Sequence, residues 1–128
     1  MAKQVITTSH PAKFHYSQGI RAGQFIFVAG VAGHENPDTG EAIEGIKAQT
    51  RQCLEAIKEI LGAAGSSLGD VVSATVYLKN SDDFLKMNEE YKAYFLKDPP
   101  ARATLVTGLL LPSMLVEIQC IACCSSGQ

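Results

Sequence analysis

The stretch PPARATLVTGLLLPSMLVEIQ, residues 99–119, contains two apolar runs, and each run carries one charged side chain. Arg102 stands in the first run and Glu117 in the second. The runs have the length and composition of strands, so we predict strands over 101–107 and 114–122. Burying an unpaired charge costs free energy, so such residues usually pair with each other or with a ligand. The stretch alone leaves both options open.

The residues before this stretch show three further strand patterns and then a change of period. Strands are predicted over 4–8 and, around a turn at Ala22-Gly23, within 17–31. From Ile46 the apolar residues recur at helical spacing up to a C-terminal cap at Gly65. Next come a strand over 70–78 and an amphipathic helix over 81–95, capped by Ser81 or Asp82.

The predicted element order is β-β-β-α-β-α-β-β, which is typical of an α+β fold on a mixed sheet. We expect a single domain over residues 1–128. Two helices can cover only one face of such a sheet. The strand patterns FIFVAGV and MLVEIQCIACC lack the polar alternation of a solvated second face. The second face is therefore expected to meet another subunit, as in a homo-oligomer.

The composition excludes several classes of partner. The net charge of −2 and a pI of about 5.9 leave no basic stripe for a nucleic acid. No run is apolar for long enough to cross a bilayer, and the N-terminal segment MAKQVITTSH lacks the apolar core of a signal peptide. The four cysteines are therefore expected to be reduced thiols in the cytoplasm. His10, His15 and His34 lack metal-ligand spacing.

The two charged residues suggest one structural and one functional hypothesis. If the last two strands formed an antiparallel hairpin, Arg102 would lie opposite Glu117, and the pair could be a simple ion pair at a subunit edge. Alternatively, the arginine fork could bind a substrate carboxylate in bidentate fashion. The glutamate could then position or deprotonate a water molecule beside that substrate.

The segment 99–122, PPARATLVTGLLLPSMLVEIQCIA, resembles the signature of the RidA/YjgF family of reactive intermediate deaminases, also labelled endoribonuclease L-PSP. Other segments appear in the family order: YSQGI, FVAGVAGHENPDTGE, QTRQCLEAIKEILGAAG and GDVVSATVYLKNSDDFLKMNEEY. The resemblance implies a chorismate-mutase-like fold and a homotrimer with a ligand cleft at each subunit interface. It also implies hydrolysis of enamines and imines such as 2-aminoacrylate to 2-oxo acids and ammonia, without a metal or an organic cofactor.

The resemblance also implies roles for individual residues. Arg102 matches the family arginine that grips the carboxylate of a small substrate, and Glu117 matches the glutamate that positions the attacking water. Tyr16 matches a tyrosine of the cleft, Gly30 a backbone contact in the loop after the third strand, and Asn88 a cleft asparagine. These five residues are the predicted site.

The sequence departs from the family pattern near three of these residues. The Gly-Pro that precedes the family tyrosine is absent before Tyr16. Ala29 replaces a serine and therefore lacks its hydroxyl group. Thr104 replaces a cysteine, so no thiol chemistry is expected there. Substrate preference and rate are expected to respond to the last two changes.

Three other functions remain open from the sequence. The same cleft could serve a non-catalytic module that binds a 2-oxo or 2-amino acid. The label endoribonuclease suggests ribonuclease activity or inhibition of translation, against which the acidic pI argues. A larger substrate such as an aminomuconate would fall within the same reaction class.

Overall fold

A computed structural model describes residues 2–124 and contains one six-stranded sheet in the order β1-β2-β3-β6-β4-β5. Every neighbouring pair is antiparallel except β4 and β5, which are parallel. The α+β order and the mixed sheet predicted from the sequence are confirmed. The elements are β1 Gln4–Ile6, β2 Gly19–Ala22, β3 Phe25–Ala32, α1 Ile46–Ala63, β4 Val71–Leu78, α2 Phe84–Tyr94, β5 Ala101–Val106 and β6 Val116–Cys123.

Helix α1 forms where the apolar period predicted it, and its C-terminus has a specific cap. Gly65 adopts a positive φ of 76°, a conformation that glycine enters without a Cβ clash. Its N–H donates to the carbonyl of Gly62, and the N–H of Ser66 donates to the carbonyl of Leu61. This pair of bonds is the Schellman motif, which satisfies carbonyls that the end of a helix leaves free.

The two helices cover one face of the sheet and bury the core against it. On β4, Ala74, Val76 and Leu78 are buried beneath the helices, while the residues between them point to the opposite face. On that opposite face Phe25 and Phe27 of β3 are each 45% exposed. The uncovered face therefore carries large apolar side chains, as expected for a surface between subunits; its partner stays a prediction.

The predicted hairpin between the last two strands is wrong. β5 lies at the edge of the sheet and pairs in parallel with β4, while β6 lies between β3 and β4. The physical reason is the helix that joins β4 to β5. A strand that follows another strand through a helical crossover returns to the same end of the sheet, so the two strands run parallel.

The start of α2 also differs from the prediction. A single 3₁₀ turn, Ser81–Asp83, precedes the helix, so neither Ser81 nor Asp82 is its cap. The α-helix begins at Phe84, with Asp83 at the N-cap position and no side-chain hydrogen bond there. Tertiary contacts stabilise α2 instead. Arg51 of α1 forms an ion pair with Glu90 at 3.1 Å.

Candidate active site

Glu117 lies on β6, on the face of the sheet that the helices leave uncovered. It pairs with Tyr77 of β4 on one side and Ala32 of β3 on the other. Its carboxylate rests against the backbone of Gly30. A Cβ at position 30 would lie 2.3 Å from Oε2 of Glu117, far inside van der Waals contact. Glycine at this position is therefore what leaves space for the carboxylate.

The prediction that Gly30 follows the third strand is wrong, because Gly30 lies within β3. A register shift between Val28 and Val31 interrupts the pairing of β3 with β6 at this point. Such a bulge re-aims the residues around it. The N–H of Ala29 donates to the carbonyl of Gln18, and the buried thiol of Cys53 donates to the carbonyl of Val31 at 3.3 Å. Both contacts hold the bulge in place.

Gln49 of α1 anchors the chain just before Glu117. Its side chain is buried and fully hydrogen bonded. The amide nitrogen donates to the carbonyls of Ile43 and Ser113, each at 2.9 Å, and the amide oxygen accepts from the N–H of Leu115 at 2.9 Å. One side chain therefore fixes the loop before α1 and the start of β6, and so sets where Glu117 enters the site.

Arg102 occupies a different setting at the edge of the sheet. It lies on β5 in register with the buried Ala74, so its side chain points to the helix-covered face. The guanidinium carbon lies 4.7 Å from the ring centroid of Tyr91 and 5.6 Å from that of Phe84, both on α2. Asn88 is four residues after Phe84 and three before Tyr91, so the helix places it on the same side. Asn88 and Arg102 thus lie in one region.

Within one chain, Arg102 and Glu117 do not meet. They pair with β4 from opposite sides, three residues apart along that strand, which separates their Cα atoms by about 14 Å. Their side chains also point to opposite faces of the sheet. Within residues 2–124 neither residue forms an ion pair. The predicted cross-strand pair is therefore wrong, and both charges are free to bind something else.

Tyr16 lies in the segment between β1 and β2, and its side chain is 55% exposed. The same segment is tied to the rest of the fold by His10. The ring of His10 contacts Asp38 through Nε2 at 2.6 Å and Glu59 of α1 through Nδ1 at 3.0 Å. The hydrogen bonds that His10 donates to these two carboxylates raise its pKa, and the bond to Asp38 does so most strongly. The structure thus anchors the segment that carries Tyr16, but among residues 2–124 no hydrogen bond joins Tyr16 to another predicted site residue.

In the described part of the chain, the cysteines and the candidate metal ligands give no sign of a metal site or a reactive thiol. Among residues 2–124 no three His, Cys, Asp or Glu side chains are arranged to hold a metal ion. All four cysteines are free thiols. Burial raises the pKa of Cys120 to about 12, and burial likewise raises that of Cys53. Neither helix of the described part of the chain has the length and apolar character that crossing a bilayer would require.

The comparison with known families gives a match over most of the chain. The sequence model of the endoribonuclease L-PSP family matches residues 7–124. The chain belongs to this family. It is the RidA/YjgF family that the sequence was predicted to resemble, and the α+β fold described above is shared by its solved members.

Known members of the RidA/YjgF family match nearly the whole length of this chain. A RutC family protein of Pyrococcus horikoshii is 50% identical over 123 residues, covering 94% of this chain and 97% of the relative. The 2-iminobutanoate/2-iminopropanoate deaminase of Escherichia coli is 36% identical over 126 residues, covering 95% of this chain and 98% of the relative. A crystal structure of E. coli TdcF with bound serine superposes with a TM-score of 0.89 at 33% identity, covering 95% and 99%.

Sequence reasoning overlooked two residues near this candidate site. Tyr91 is one of the buried residues of α2, and its ring also contacts Arg102. Gln49 was overlooked, although it is a polar residue within the buried stripe of α1, three residues after Ile46 and four before Cys53. A polar residue at a core position needs hydrogen-bond partners, and that signal could have identified Gln49.

Proposed function

We propose that the protein hydrolyses the reactive imines and enamines of small 2-amino acids to 2-oxo acids and ammonia. One observation carries the proposal: the partly buried charges of Arg102 and Glu117 have no ionic partner within residues 2–124. A guanidinium without an ionic partner can bind the carboxylate of a ligand, and a carboxylate without one can accept a hydrogen bond from a water molecule. The E. coli relative named 2-iminobutanoate/2-iminopropanoate deaminase supports this reaction class, and the serine bound to TdcF supports a ligand of amino-acid size.

The complete site is proposed to need two chains, because one chain keeps Arg102 and Glu117 about 14 Å apart on opposite faces of the sheet. In the proposed homotrimer, the Arg102 edge of one subunit lies beside the Glu117 face of the next. The apolar side chains of Phe25 and Phe27 on the uncovered face support burial against another copy. Each cleft would then contain one Arg102 and one Glu117 from different subunits.

The chemistry follows from these two residues. An enamine first tautomerises to the imine, whose carbon is electrophilic. Arg102 binds the carboxylate in bidentate fashion and fixes the imine carbon beside the water held by Glu117. As the water oxygen bonds to that carbon, Glu117 takes one water proton and passes it to the nitrogen. The hydroxyl proton of the carbinolamine then moves to the nitrogen by way of Glu117, the carbon–nitrogen bond breaks as the carbonyl group forms, and the products are ammonia and a 2-oxo acid.

Three further residues are proposed to line the cleft. Asn88 lies on the Arg102 side of α2 and is placed to hydrogen bond to the substrate. Gly30 leaves the space that Glu117 needs. Tyr16 is proposed to close the cleft from its exposed segment. The free thiols of the chain are consistent with a proposed cytoplasmic location.

The test is imine hydrolysis in vitro. An amino-acid oxidase generates the imine, semicarbazide traps it, and an active deaminase lowers semicarbazone formation. The wild-type protein should accelerate imine loss, and Arg102→Ala should lower kcat/KM at least about 100-fold. Arg102→Lys, which keeps the charge but loses the fork, should fall between them through a raised KM. Arg51→Ala, which removes a paired surface arginine, is the matched control and should retain activity.

Two outcomes would overturn the proposal. One is full activity in Arg102→Ala. The other is a wild-type protein that leaves the imine to decay as fast as in buffer. If that inactive protein still bound pyruvate through Arg102, the result would support the non-catalytic binding module instead.

A further inference from the structure

The guanidinium of Arg102 rests on two aromatic rings of α2. Its carbon lies 4.7 Å from the ring centroid of Tyr91 and 5.6 Å from that of Phe84. Both distances fall within the range in which the negative face of an aromatic ring attracts a cation. Tyr91 and Phe84 are seven residues apart, two turns along one face of α2. We call these two rings the aromatic seat.

Tyr91 is the fixed member of the aromatic seat. It is 4% exposed, and its ring packs against that of Phe95 with the centroids 4.7 Å apart. Arg102, in contrast, has a long side chain on an edge strand. Within residues 2–124 its guanidinium forms neither an ion pair nor a hydrogen bond. The cation–π contacts with the two rings are therefore the interactions that hold the guanidinium in position.

We propose that Tyr91, assisted by Phe84, is a positioning residue that orients Arg102 for binding the substrate carboxylate. A guanidinium carries its five N–H donors in its plane, so a ring against its flat face uses none of them. The seat therefore holds the arginine while leaving the fork open for a bidentate carboxylate. This inference rests on the carboxylate-binding role proposed above for Arg102.

The phenolic oxygen of Tyr91 has no part in this role. It is buried and has no hydrogen-bond partner within residues 2–124. Burial raises the pKa of Tyr91 although the charge of Arg102 opposes the shift, so the hydroxyl stays neutral at physiological pH. If the ring face holds Arg102, phenylalanine at position 91 should serve as well as tyrosine, whereas leucine should not.

The test measures pyruvate binding by calorimetry and imine hydrolysis for three variants. Tyr91→Leu should weaken pyruvate binding and raise KM about tenfold, with kcat within about threefold of wild type. Tyr91→Phe should bind within about twofold of wild type. Phe84→Leu, at a more exposed position that tolerates truncation, should weaken binding about threefold. Tyr94→Leu is the control, because Tyr94 lies on the same helix but donates its hydrogen bond to Glu55.

The outcomes separate the seat from the proposed function. Pyruvate binding that Arg102→Ala leaves unchanged would refute the carboxylate-binding role itself. Binding that depends on Arg102 but is unchanged in folded Tyr91→Leu would refute only the seat. If Tyr91→Leu fails to fold, unchanged binding in Phe84→Leu would refute the seat in its place. An equal loss in Tyr91→Phe and Tyr91→Leu would assign the effect to the hydroxyl and also overturn the proposal.

Discussion

Substitution by alanine should lower activity at Gly30 but stability at Gly33, because different atoms lie where the new methyl group would be placed. At Gly30 the added Cβ would lie 2.3 Å from the carboxylate oxygen Oε2 of Glu117. At Gly33 it would lie 2.1 Å from the backbone carbonyl oxygen of Gln49 and 3.1 Å from the backbone nitrogen of Cys53, both in α1. A carboxylate can rotate away from a methyl group, whereas a helix backbone cannot.

The magnitudes follow from this difference. In Gly30→Ala the carboxylate has to move by roughly 1 Å, at a rotamer cost of about 0.5–1.5 kcal/mol. Alanine also lowers the conformational entropy of the unfolded chain, which stabilises the fold by about 0.4–1 kcal/mol and offsets most of the rotamer cost. The free energy of unfolding should therefore change by less than about 1 kcal/mol. A misplacement of that size can lower a rate about 100-fold. Gly33→Ala has to push α1 away from β3, an overpacking that costs about 1–3 kcal/mol or more.

The assays are urea denaturation for stability and the semicarbazide competition for imine hydrolysis. Gly30→Ala should unfold at nearly the wild-type midpoint and lose most of its kcat/KM. Gly33→Ala should unfold at a clearly lower urea concentration. If Gly30→Ala were as active as wild type, activity would not depend on where the carboxylate of Glu117 lies, and that part of the account would be refuted. Equal destabilisation of the two variants would refute the distinction between side-chain and backbone contacts.

Three further predictions concern stability and thiol reactivity. The hydrogen bonds that His10 donates to Asp38 and Glu59 raise its pKa above 6.5, so their stabilising effect is full below that pH and is lost as the pH rises through the folded-state pKa. His10→Gln should therefore destabilise the protein at about pH 6 but not at about pH 9, and an equal effect at both pH values would contradict this. Gly62 is exposed near the end of α1 with open space around its Cβ position, so Gly62→Ala should stabilise by about 0.5–1 kcal/mol in thermal unfolding, and a lowered Tm would count against it. Cys120, buried and with a pKa of about 12, should escape iodoacetamide in the native protein and react in urea, as peptide mass mapping would show; rapid native labelling would argue against its burial.

The sequence predicted those elements whose signals are local. Helix α1 was predicted from Ile46 to the cap at Gly65 because both a 3.6-residue period and a left-handed glycine depend on neighbouring residues. The strands were predicted for the same reason, within one or two residues at their ends. The predicted start of α2 was less accurate, because a 3₁₀ turn and the first turn of an α-helix favour similar residues.

Strand pairing could not be predicted in the same way, because it depends on partners that are distant in sequence. The apolar patterns of β5 and β6 suit an antiparallel hairpin as well as they suit two separate neighbours of β4. The helix between β4 and β5 was the overlooked signal, because a strand–helix–strand unit favours parallel pairing. The hairpin prediction placed Arg102 opposite Glu117, whereas the observed pairing puts the two residues on different neighbours of β4 and about 14 Å apart.

The structure brings the predicted site residues together in two separate groups, and each group follows from which elements are neighbours. Gly30 and Glu117 come together because β3 and β6 are neighbours in the sheet. Asn88 and Arg102 come to one region because α2 lies beside β5. The joint role proposed for them in one site requires a second copy of the chain, and the sequence of one chain does not show how two copies pack.

Subunit complementation tests the central claim most directly. Arg102→Ala and Glu117→Gln, each inactive alone, are mixed in equal amounts, unfolded and refolded together. If each site takes Arg102 from one chain and Glu117 from another, about one quarter of the sites contain both intact residues, because half of the chains supply each. The mixture should therefore recover about one quarter of the wild-type imine hydrolysis. A mixture of Arg102→Ala with the double variant should recover none. Activity in the first mixture no higher than in its separate components would contradict a site shared between subunits.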